Sequence, residues 1–135
     1  MAQRVVFAAN DGTNGVELWI TDGTPDGTVL LKDIAPSSLS SYPSHFAGLP
    51  GGRFVFVADD GTYGTELWVS DGTADGTYLL KDIAPGAYSG IYAGVESYFS
   101  FAALGDGRLV FAASDDINGY ELWVTDGTAD GTYLL

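Results

Sequence analysis

An all-β fold is predicted for this 135-residue chain by three features of its sequence. One hairpin-rich unit occurs three times, its strands are rich in β-branched and aromatic residues, and Gly, Asp and Asn cluster between them. The unit occupies residues 4–31, 53–80 and 108–135, running each time without a gap from an Arg-x-Val-Phe start to a Leu-Leu end. The connectors, 32–52 and 81–107, differ in length. The unit is therefore the structural constant, and the chain reads as a single repeat domain over residues 1–135.

Each unit divides into three strands. In the first copy, residues 4–9 place Val5, Phe7 and Ala9 on one face and Val6 and Ala8 on the other. Both faces are apolar, as for a strand buried between two layers. Asn-Asp-Gly-Thr-Asn-Gly at 10–15 is a turn. Residues 17–21 form the second strand, with Leu18 and Ile20 opposite Glu17 and Trp19. A second Asp-Gly turn at 22–27 leads to a third strand over 28–34. The connectors supply a fourth strand, at 45–49 and 97–104. The hairpin pairs Gly51-Gly52 and Asp106-Gly107 close it onto the strand that follows.

The complete repeat is thus four antiparallel strands in about 50 residues, the size of a propeller blade, and the chain holds about three of them. A β-sandwich or a solenoid-like stack of the same hairpins is the alternative. Three blades leave open edges, which favour self-association. Either the chain is a fragment of a longer protein or identical chains assemble into a closed ring, and for a chain stable alone two copies making about six blades is the preferred arrangement.

Charge limits the partners. Eighteen acidic residues stand against five basic ones, for a net charge of −13. Such a chain repels nucleic acid and anionic membrane surfaces. Without cysteine it has no disulfide, thiol chemistry or thiolate metal site. No stretch approaches the ~20 apolar residues of a membrane helix. The apolar run in the first ten residues is too short for a secretory signal.

The candidate functional residues mostly recur in every unit, whereas a catalytic site is usually unique. Trp19, Trp68 and Trp123 read as core between layers. Glu17, Glu66 and Glu121 are expected to pair across strands with Arg4, Arg53 and Arg108, and Lys32-Asp33 and Lys81-Asp82 to be solvated strand ends. Asp22 with Asp26, Asp71 with Asp75, and Asp126 with Asp130 place two carboxylates in one tight loop. That is a candidate calcium site, although the spacing is not that of an EF-hand. His45, the single histidine, reads as a surface residue. The second connector carries Tyr88, Tyr92 and Tyr98, candidate platforms for a sugar or peptide, followed by Phe99 and Phe101 as strand core. No catalytic set and no cofactor are expected. The leading expectation is a non-catalytic scaffold or adhesion module with a protein or glycan partner. A carbohydrate-binding module and a calcium-binding repeat are the alternatives.

Glu-Leu-Trp-x-x-Asp-Gly-Thr at 17–24, 66–73 and 121–128 resembles the ELWxxDGT repeat family of bacterial proteins. The likeness continues through Gly-Thr at 27–28, 76–77 and 131–132, and Lys-Asp-Ile at 32–34 and 81–83. It implies membership of long, propeller-like, secreted or surface-associated arrays, and hence an extracellular or cell-surface location, but no particular activity. The chain departs from the pattern in two places. Lys-Asp-Ile is missing after Leu135, which reads as truncation. Asp116-Ile117 replaces Gly-Thr, which predicts a less regular turn there.

Overall fold

The computed structural model describes residues 3–93 and 99–135. It is all-β, with three antiparallel sheets. The first contains β1 (Val5–Asn10), β2 (Val16–Thr21) and β3 (Val29–Lys32). The second contains β4 (Ser44–Gly48), β5 (Phe54–Asp59), β6 (Thr65–Ser70) and β7 (Tyr78–Lys81), with a 3-10 turn at Pro50–Gly52 between β4 and β5. The third contains β8 (Ala102–Ala103), β9 (Leu109–Ser114), β10 (Tyr120–Thr125) and β11 (Tyr133–Leu134). Strands neighbour one another in chain order within every sheet, and among the described residues no sheet closes on itself.

The three units fold in one register. Phe7 lies opposite Trp19, Phe56 opposite Trp68, and Phe111 opposite Trp123. The strands expected at 28–34 and 97–104 are shorter than the sequence suggests. Residues 33 and 34 leave the ladder because the backbone N–H of Ile34 bonds a side chain instead. Among the described residues of the second connector only Ala102 and Ala103 pair with β9, and residues 97 and 98 of the expected strand lie outside the described residues. The turn at 115–118 keeps the regular form, against expectation. Asp116 adopts φ 67, the left-handed conformation of Gly12 and Gly61, and Asp115 accepts from the N–H groups of Ile117 and Asn118. Asp tolerates this region better than most side chains because it can bond its own backbone.

The middle sheet is apolar on both faces and buried on both. Phe56, Ala58 and Trp68 pack against Leu18, Ile20, Leu31 and Ile34 of the first sheet and its connector. Val55, Val57, Leu67 and Val69 pack against Leu109, Phe111, Ala113 and Trp123 of the third. Each fully buried aromatic or branched side chain contributes about 1.5–3 kcal/mol, so these two layers hold the sheets together. Trp68 and Trp123 are core, as expected, whereas Trp19 faces outward from the first sheet and is half-buried. All three indole Nε1 atoms are buried without an acceptor among the described residues, so these rings act through apolar area.

Candidate functional site

The repeated glutamate does not pair with the repeated arginine. The register sets Glu17 opposite Ala9 and Glu66 opposite Ala58, some five residues along the ladder from Arg4 and Arg53, or about 16 Å. Both glutamates are fully buried instead. The Glu66 carboxylate accepts hydrogen bonds from the backbone N–H groups of Ile83 (2.9 Å), Ala84 (3.0 Å) and Gly90 (2.8 Å). The Glu17 carboxylate accepts from Ile34 (2.8 Å), Ala35 (3.1 Å) and Ser41 (3.2 Å), and from the Ser41 hydroxyl. Each glutamate therefore folds the following connector back over the end of its own sheet. Burial pushes Glu66 up to about 7 and raises Glu17, while the hydrogen bonds pull in the opposite direction. Glu121 holds the same register position, opposite Ala113, and is exposed.

The basic residues also act between sheets. Arg53 donates to the carbonyl of Gly127 at 3.1 Å, and Lys32 donates to the carbonyl of Ala74 at 3.3 Å. In both cases a cation from one sheet reaches the second Asp-Gly turn of the next, so Lys32 is not merely a solvated strand end. Arg108 turns back instead, onto Asp106 at 2.8 Å.

The candidate calcium loops are occupied by their own hydrogen bonds. Asp71 Oδ1 accepts from the N–H and hydroxyl of Thr73, at 2.9 and 2.6 Å. Asp22 and Asp126 do the same with Thr24 and Thr128. The threonine hydroxyl is the main cause holding each of these aspartates below the usual carboxylate range. A Cβ at Gly76 would run into the Asp71 carboxylate, so a side chain there would have to push that carboxylate off Thr73. Asp26, Asp75 and Asp130 are exposed. Among the described residues, no three His, Asp or Glu side chains converge as metal ligands.

A cleft of about 340 Å³ opens where the two connectors meet. Tyr42 and Tyr92 stand on it, both 68% exposed, with Ser44, Asp59, Thr65 and Ser89 among its lining residues. Of the three tyrosines singled out in the sequence, Tyr92 reaches this cleft, Tyr88 is exposed outside its lining, and Tyr98 lies outside the described residues. Tyr42 was missed. It lies in the first connector, which carries no run of aromatics to draw attention to it. His45 is half-buried, bonded through Nδ1 to the Ser44 hydroxyl at 2.9 Å and set edge-on to Phe99 at 5.2 Å. Phe99 and Phe101 pack against the core between the second and third sheets.

No protein family, curated protein or solved structure matches this chain.

Proposed function

We propose that the chain is a non-catalytic repeat scaffold of the ELWxxDGT kind, whose sheets are propeller-like blades and whose two end faces join head to tail with a second copy. One observation carries this reading: the end faces are the same surfaces that are buried between neighbouring sheets. Leu122 and Leu135 of the third sheet are 51% and 61% exposed, whereas their counterparts Leu67 and Leu80 are 0% and 5% exposed. On the first sheet Val5 is 62% exposed, beside half-buried Phe7 and Trp19, whose counterparts Phe56 and Trp68 are buried. Among the described residues, no strand pairs with the outer edge of β1 as β4 pairs with β5. A surface that fits its neighbour inside the chain fits the same neighbour in another chain, giving a heterologous contact that closes if the rotation allows.

Sedimentation analysis tests this. Wild-type protein is expected to show at least twice the chain mass at micromolar concentration, and Leu122→Asp to remain a monomer with unchanged circular dichroism. A wild type that is monomeric at every concentration removes the reading.

A carbohydrate-binding role is the second reading, favoured by the paired tyrosines and hydroxyl groups of the connector cleft. Tyrosine faces stack on sugar rings while Ser, Thr and Asp side chains bond their hydroxyls. A glycan array is expected to return hits that Tyr92→Ala abolishes. An array without hits rejects it.

A further inference from the structure

The cleft between the two connectors is shaped by two departures from the repeat. Ser41 and Gly90 hold equivalent places, each donating its N–H to the glutamate 24 residues earlier. The residues that follow, Tyr42 and Ile91, match again, donating to the carbonyls of Val16 (3.3 Å) and Thr65 (3.1 Å). Yet Ile91 is fully buried, whereas Tyr42 adopts φ 47 and stands exposed on the cleft with Tyr92. The left-handed region is unfavourable for an aromatic residue, and backbone strain of this kind collects at sites that bind or react.

Asp59 is the second departure. Its Oδ1 accepts from the N–H of Gly61 at 2.8 Å, which closes the first turn of the unit. In the first unit Asn10 closes that turn with an uncharged amide oxygen, onto Gly12 at 2.7 Å, and in the third Ser114 does so with a hydroxyl. The turn needs an acceptor and no charge. The Asp59 carboxylate is therefore a charge that the fold does not use. Among the described residues its Oδ2 meets no protein donor, and no basic side chain lines the cleft.

We propose that this cleft binds a protonated amino sugar, with the ammonium on Asp59 and the sugar ring against the tyrosines. The proposal rests on the carbohydrate reading of the cleft and narrows it to a cationic ligand. A hydrogen bond from an ammonium to a carboxylate is roughly twice as strong as one between neutral groups, and tyrosine faces attract cations. The net charge of −13 draws in the same ligand and repels sulfated or uronate sugars. A volume of about 340 Å³ is in the range of small-ligand sites.

The probe is a trimer of glucosamine, titrated calorimetrically into the full chain at a pH where its amines are protonated and carboxylates ionised. Salt at about 0.15 M screens long-range attraction. The comparison ligand is the neutral, fully N-acetylated trimer. The amine trimer is expected to bind at least about tenfold more tightly than the acetylated one. Asp59→Asn should erase that difference without loss of thermal stability, since Asn10 serves the same turn. Asp130→Asn, which removes an equal charge from an exposed turn, should leave it intact. Equal binding of the two trimers, or an equal loss in Asp130→Asn, overturns the proposal and leaves the carbohydrate reading standing. Binding of neither trimer overturns the proposal too, and only a glycan array without hits removes the broader reading with it.

Discussion

Glu66→Ala is expected to destabilise the chain by about 4 kcal/mol or more, while Glu121→Ala changes stability by less than about 0.5 kcal/mol. The two residues share a sequence context and a register position, so propensity and local charge cancel from the comparison. What differs is the set of groups left behind. Removing the Glu66 carboxylate strands three buried backbone donors, each costing about 1–3 kcal/mol, and opens a cavity where the side chain lay. Removing the exposed Glu121 carboxylate strands none among the described residues. Urea unfolding followed by tryptophan fluorescence measures both. Equal losses at the two positions would mean that the buried carboxylate is not what holds the connector.

Gly64→Ala and Gly119→Ala form the second contrast. Both glycines end the first turn of their unit with positive φ, 73° and 75°. Any L side chain there costs about 1–2 kcal/mol, and Gly119→Ala is expected to cost no more than that, because a Cβ would meet nothing within 4 Å. At Gly64 the Cβ would stand 2.7 Å from the main-chain carbonyl of Tyr88. Backbone held in place by Glu66 cannot move aside cheaply, so the expected loss rises to about 3 kcal/mol or more. Thermal unfolding of the two variants decides, and a larger loss at Gly119 would refute the packing account. A Cβ at Gly15 would come closer still, to the Leu39 carbonyl oxygen, and Gly15→Ala is expected to follow Gly64→Ala.

Most of the secondary structure was legible in the sequence, because it is encoded locally. The alternation Val5, Phe7, Ala9 and the Asp-Gly turns specify which strands pair and in what order, and the observed register follows. The role of Glu17 and Glu66 was not legible. Their partners are main-chain N–H groups 17 to 24 residues further along, and a main-chain donor leaves no mark on residue type. The Glu–Arg pairing was the reasonable expectation from charge, but it presumed adjacency that the ladder denies. The reach of Arg53 to Gly127 was hidden for the same reason, since its acceptor is a carbonyl in a different unit. Part of the cleft was legible through Tyr92 and none of it through Tyr42, since only a tertiary meeting of two loops creates it.

The connectors belong to two sheets at once. The front half of residues 32–52 is anchored by Glu17, and the back half becomes β4, whose neighbour is the next sheet. Melting one sheet therefore releases a strand or an anchor of its neighbour, which makes nearest-neighbour coupling strong compared with the intrinsic stability of any sheet. In such a one-dimensional lattice the terminal members fray first and the interior member opens only with global unfolding. Amide protons of β5 and β6 should then exchange with solvent at the slowest rates in the molecule, and appending members at either end would lengthen the cooperative block without altering its repeating parts.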